Sequence, residues 1–144
     1  VVVMDGKLEE TARSFKEDAR PAFVAEIPGV PPSLWRCYGI NPRGGVFLTK
    51  AGRIWKREAM FALLQVPHDR PLRGRIAIRV RFFAHSRGRW DIDNRFKVLF
   101  DAMTEAGVWS DDSQVDRLES EVIIVPPKAA SRTVVTVSEI EEGK

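Results

Sequence analysis

The segment "GRIAIRVRFF" (residues 74–83) limits the fold most, because its side chains alternate with a period of two. Ile76, Ile78, Val80 and Phe82 fall on one side, and Arg75, Arg79 and Arg81 on the other. That period belongs to a half-buried strand, in which a slip of one residue would exchange the apolar face for the charged one. The chain must therefore form a sheet with one apolar face and cover that face with something. Two helical segments are candidates. Residues 49–66, "TKAGRIWKREAMFALLQV", place Thr49 as N-cap ahead of an apolar stripe of Trp55, Ala59, Ala62, Leu63 and Val66. From Ile92 to Ala106, the residues Ile92, Phe96, Leu99 and Met103 recur at helical spacing, and Gly107 supplies a stop. Further strands are expected at 22–29, 119–126 and 131–140, with the loop "GINPRGG" after the first. The predicted fold is α+β: a mixed β-sheet with two main helices packed on it, in a single domain.

The 144 residues suit one domain, and an apolar fraction of 44% is enough for a core. Residues 1–20 read as a polar extension with a short helix through "LEETARSFKEDA". The opening turns acidic at once, unlike a secretory signal, and no apolar run reaches the roughly 18 residues of a membrane span. Cys37 is the only cysteine, which excludes an internal disulfide and a thiolate metal site and predicts a reduced, cytoplasmic setting. His68 and His85 stand apart and carry no signal beyond surface histidines.

Charge is segregated along the chain. Residues 21–90 hold thirteen basic and three acidic side chains, whereas residues 91–144 hold six basic and twelve acidic. A basic middle beside an acidic final third fits a polyanion-binding surface next to a cation-binding centre, though a merely solvated surface has the same composition.

The acidic third opens with "WDIDNRFKVLFDAMTEAGVWSDDSQV" (residues 90–115). Asp91 and Asp93 stand at the start of the second helix, and Asp111 and Asp112 lie in a turn beyond its end, where they can fold back along it. Helix capping and i, i+4 pairs among Asp93, Lys97 and Asp101 account for one or two of these charges, at a few tenths to about 1 kcal/mol. They do not account for two acid pairs bracketing one helix. Clustered carboxylates become favourable around a divalent cation, and oxygen-only ligands select Mg²⁺ or Mn²⁺. A calcium loop of the EF-hand type is excluded, because counting from Asp91 puts Phe96 where its glycine belongs and Ala102 where its glutamate belongs. Carboxylates beside arginines point to phosphodiester chemistry, with Lys97 placed to stabilise charge on the phosphate.

The whole stretch resembles the signature of the RusA family of Holliday-junction resolvases: D-x-D-N-x-x-K, then D-A-L/M, a short turn and D-D-x-Q-V. The likeness extends more weakly through "IPGVPPSLWRCYG" and "FLTKAGRIWKREA" and forwards through the last two strands, so that residues 21–144 form the family-like domain. It implies that Asp91, Asp93 and Asp112 bind Mg²⁺, with Mn²⁺ as a substitute, and that Lys97 is the functional lysine. Asp111 stands beside the essential aspartate in a supporting place, and Asn94 either orients a carboxylate or has a plain structural role at the helix start. The resemblance further implies a homodimer that nicks two opposed strands of a four-way junction and leaves ligatable ends. Arg87 and Arg89, together with Lys97, are the candidate DNA contacts.

The chain departs from the family pattern at "LWRCYG", where an Asn is usual, and at Trp90, where a basic residue is common; Trp90 either stacks on an unpaired base or simply packs. Arg75, Arg79 and Arg81 form either a DNA-facing stripe or the wet side of a strand, and Arg53, Lys56 and Arg57 are equally ambiguous. Two other functions compete: a metal nuclease for flaps or other branched DNA, and a catalytically silent junction-binding protein. The second gains nothing from carboxylates facing phosphate.

Overall fold

A computed structural model describes residues 21–69, 71–87 and 91–140. The expected N-terminal extension, and the expectations for Arg89 and Trp90, lie outside the described residues. The elements in chain order are β1 (Phe23–Pro28), α1 (Leu34–Cys37), β2 (Tyr38–Ile40), β3 (Val46–Leu48), α2 (Lys50–Leu64), β4 (Ile76–Ala84), α3 (Phe96–Glu105), β5 (Val115–Ile124) and β6 (Arg132–Glu139). Single 3₁₀ turns precede α3 (Ile92–Arg95) and β5 (Asp112–Gln114). The main sheet has the order β1-β6-β4-β5, with β4 and β5 parallel and the other neighbours antiparallel. It is the mixed sheet that was expected. A parallel pair needs a crossover, and the crossover between β4 and β5 is the segment that carries both acid pairs.

The alternation of β4 is realised. Ile76, Ile78, Val80 and Phe82 are fully buried, and the register sets Val137, Val135 and Thr133 of β6 beside Ile78, Val80 and Phe82. Phe23, Ala25 and Ile27 of β1 continue the same face. Onto it pack Trp55, Ala59 and Leu63 of α2 and Val98, Leu99, Ala102 and Met103 of α3. Burial of each large apolar side chain stabilises the fold by about 1.5–3 kcal/mol.

The opposite face carries the arginines, where they are engaged in ion pairs with the neighbouring strand. Arg79 pairs with Glu119 at 3.2 Å and Arg81 with Glu121 at 3.0 Å, each with its direct register partner on β5. Arg75 grips Asp116. These pairs, partly open to solvent, contribute little stability, and each sets a carboxylate against an arginine of the stripe. Lys56 is likewise engaged, with Glu105 at 2.8 Å, and joins α2 to α3.

Three expectations about element boundaries need correction. The loop after β1 contains α1 and a small β2–β3 hairpin, too short for alternation to show. The second helix is not continuous from Ile92, since its first turn is 3₁₀; there Arg95 reaches from Nη1 to the Pro31 carbonyl at 2.8 Å. Strand β5 begins at Val115, ahead of the expected 119.

One close approach fixes the hairpin against α2. Thr49 caps α2 by accepting from the Gly52 amide at 3.2 Å, as expected, while its own amide donates to the Cys37 carbonyl at 2.7 Å. A Cβ on Gly52 would lie 2.6 Å from that carbonyl oxygen, so only glycine lets the helix sit so near. Tyr38, next to Cys37, is thereby set facing α3.

Candidate active site

Asp91 opens the 3₁₀ turn in an extended conformation, and its carboxylate makes no capping hydrogen bond. Capping therefore does not explain it. Its contacts are slight: Asn94 donates from its amide to the Asp91 carbonyl at 3.1 Å and from Nδ2 to Oδ2 at 3.4 Å. Asp93 is exposed in the same turn. Arg87, also exposed, has no ion pair with any described residue.

Lys97 follows one turn after Asp93. Its ammonium lies 3.5 Å from Asp101 Oδ2 and 5.3 Å from the centre of the Tyr38 ring. Among the described residues it makes no ion pair with Asp93. Asp101 Oδ2 also accepts the Tyr38 hydroxyl at 2.5 Å. Burial first, and then this hydrogen bond and the carboxylate's charge, push the Tyr38 hydroxyl above its usual range, so it remains a donor at any working pH.

The second acid pair is held much more firmly. Helix α3 ends in a Schellman arrangement: the Val108 amide bonds the Met103 carbonyl at 3.0 Å and the Gly107 amide bonds Thr104 at 3.1 Å, with Gly107 at φ 77°. Trp109 is buried, donates from Nε1 to Thr104 Oγ1 at 2.7 Å, and packs edge-on against Phe100. The chain is thus turned back beside α3. Gln114 then locks the acidic turn: its Oε1 accepts from the Ser110 and Asp111 amides at 2.8 and 3.0 Å, and its Nε2 donates to the carbonyls of Leu72 and Gly74 at 3.0 Å each.

Within this turn the two neighbouring aspartates differ. The Ser113 hydroxyl donates to Asp111 Oδ2 at 2.7 Å and, with further hydrogen bonds, holds the Asp111 carboxyl below its ordinary range. The Asp112 carboxyl is raised, chiefly by partial enclosure and then by Asp111 and Asp101, with Lys97 opposing. The structure thus brings Asp112, Asp111, Asp101 and Lys97 into one electrostatic neighbourhood. It does not gather Asp91, Asp93 and Asp112 into a shell: among the described residues no three carboxylate, imidazole or thiolate side chains are grouped to hold a metal ion. Like charges at close range repel, and a divalent cation placed between carboxylates would remove that repulsion. The donor chemistry itself, exposed carboxylate oxygens without thiol or imidazole competitors, suits a hard divalent cation.

Three residues of this site escaped the sequence reading. Gln114 had a signal available, since Asp111 and Gln114 form a capping box of the D-x-x-Q type. Asp101 was visible as a helix ion pair and as the first position of the D-A-L/M element, without a role in the site. Tyr38 carried no signal, being 63 residues from the carboxylate it bonds.

Comparison with known proteins identifies the family of the sequence. A family model described as Endodeoxyribonuclease RusA matches residues 28–138. Crossover junction endodeoxyribonuclease RusA of Escherichia coli (strain K12) is 32% identical over 110 residues, which is 76% of this chain and 89% of that protein. Proteins of the same name from Shigella sonnei (strain Ss046) and Enterobacteria phage 82 are similar at the same identity and coverage. The family match includes Tyr38, both acid pairs, Lys97, Asp101 and Gln114.

Proposed function

The chain belongs to the RusA family of endodeoxyribonucleases, and from that premise we propose that it resolves four-way DNA junctions by paired, symmetric nicks, with Asp91, Asp93 and Asp112 holding Mg²⁺. The observation that supports this reading is the acidic turn: Gln114 and Trp109 fix the turn that carries Asp111 and Asp112, and Asp112 feels the charges of Asp111 and Asp101, so that its ionised form is disfavoured until a cation neutralises it. When bound, the cation supplies Lewis-acid polarisation of the scissile phosphate, and Mn²⁺ can replace Mg²⁺ in that role. Asn94 orients Asp91. Asp111, fixed by Ser113, braces the turn under Asp112. Lys97 stabilises the charge that develops on the phosphate or on the leaving oxygen. Arg87 and Arg89 contact flanking phosphates, which sets the register without reading sequence.

A junction presents two equivalent scissile phosphates, and a two-fold homodimer presents two equivalent sites to them. An obligate interface needs an apolar patch. The outward side of α2 offers Ile54, Phe61 and Leu64, which are 48%, 69% and 45% exposed. We place this activity in the cytoplasm; no helix among the described residues is long and apolar enough to cross a membrane.

The test is Mg²⁺-dependent cleavage of a mobile four-way junction, with a 5′ flap and a linear duplex run in parallel. Paired, ligatable nicks in the junction alone are expected. Faster cleavage of the flap would move the protein to the broader class of branched-DNA nucleases, and binding without cleavage would make it a silent junction binder. Sedimentation at micromolar concentration should give a dimer; a monomer that still makes symmetric nicks would refute the two-site arrangement.

A further inference from the structure

We infer that Tyr38 and Asp101 are positioning residues that hold the Lys97 ammonium at the cleavage centre, an inference that rests on the role proposed above for Lys97. The Lys97 side chain is 56% exposed, so by itself it would sample many rotamers around the phosphate. Two groups restrain it. Asp101, one turn further along α3, attracts the ammonium, and the Tyr38 ring lies beneath it at 5.3 Å. An ordinary i, i+4 ion pair requires no third element. Here a residue from the β2–β3 hairpin enters, and its hydroxyl bonds the same carboxylate oxygen that faces Lys97.

That shared oxygen gives the arrangement its character. The Tyr38 hydroxyl fixes the Asp101 rotamer and draws charge from Oδ2, which leaves the ammonium at 3.5 Å, the long end of an ion pair. Lys97 is therefore oriented and still free to turn its charge to a phosphate. Placement of Tyr38 depends in turn on the close seat of α2 at Gly52, so the hairpin is coupled to the reacting group through one hydrogen bond.

Tyr38→Phe removes the hydroxyl and keeps the ring, and it is the variant of choice because Asp101 also acts on Asp112. Single-turnover cleavage of a four-way junction at saturating protein is compared with junction affinity, Mn²⁺ affinity and a thermal melt. A rate loss of about ten-fold is expected for Tyr38→Phe, since small misplacements of a reacting group are costly. Junction and Mn²⁺ affinities should stay at wild-type values, with the protein folded at the assay temperature. In a Lys97→Ala background the same substitution should have no further effect, because the group it positions is gone. A Tyr38→Phe rate equal to wild type, or a loss that multiplies independently with that of Lys97→Ala, overturns the inference and leaves the role of Lys97 standing. Cleavage by Lys97→Ala at the wild-type rate overturns both. Should Tyr38→Phe fail to fold, Asp101→Asn in the same cycle gives the same decisions, with Mn²⁺ affinity showing whether Asp112 was disturbed.

Discussion

The two acid pairs that bracket α3 are built in opposite ways. Asp91 and Asp93 stand in a short 3₁₀ turn that Arg95 ties to the Pro31 carbonyl, while the acidic side chains themselves are held only loosely, Asp91 by a long 3.4 Å bond from Asn94. Asp111 and Asp112 stand in a turn anchored by the buried Trp109, by the Schellman end of the helix and by four hydrogen bonds of Gln114. One half of the site is thus pre-organised and the other adjustable. A cation bound between them would close the adjustable half onto the fixed one, so that strain is confined to the side where the chain yields easily.

The largest effect should follow from loosening the fixed half. Gln114→Ala leaves two amides and two carbonyls to find water, and at about 0.5–1.5 kcal/mol per hydrogen bond a loss of roughly 2–6 kcal/mol is expected. Denaturant unfolding measures it, and near wild-type stability would show that the turn is held by something else.

A smaller effect, with a sign, separates the neighbours within the fixed half. The raised Asp112 carboxyl binds its proton more tightly folded than unfolded, so its ionisation costs stability as pH rises through the interval up to the raised value. Without added metal, Asp112→Asn should therefore melt higher than wild type at neutral pH, and the advantage should vanish in acid. Asp111 is lowered, so it contributes stability above its unfolded pKa that is lost as pH falls through the folded one. Asp111→Asn should melt lower at neutral pH. Shifts of the same sign in the two variants would contradict the assignment.

The smallest effect belongs to the adjustable half. Asn94→Ala should cost less than about 0.5 kcal/mol, since one long, exposed hydrogen bond is lost. A thermal melt at pH 7 checks it, and a loss as large as that of Gln114→Ala would erase the difference between the two halves.

What could be read from the residues followed the range of the interactions. The faces of β4, the Thr49 cap and the stripe of α2 are local patterns with fixed periods, and they appear in the structure as expected. The acid motif was equally local. Tyr38 escaped because its partner is brought near only by the packing of the hairpin against α2 and α3. The ion pairs of Arg79 and Arg81 depend on the parallel register of β4 with β5, and alternation within one strand does not contain that register. The 3₁₀ start of α3 was missed for a similar reason, since Arg95 is bonded to a carbonyl 64 residues away.

The central claim is that both acid pairs serve one cation. Calorimetric titration with Mn²⁺ tests it most directly, on wild type and on Asp91→Asn and Asp112→Asn, without DNA present. The account predicts binding by the wild type that is lost or weakened at least about ten-fold in both variants, because each removes a charged oxygen ligand from a shared shell. Wild-type Mn²⁺ affinity in either variant would show that the two pairs do not meet on one ion.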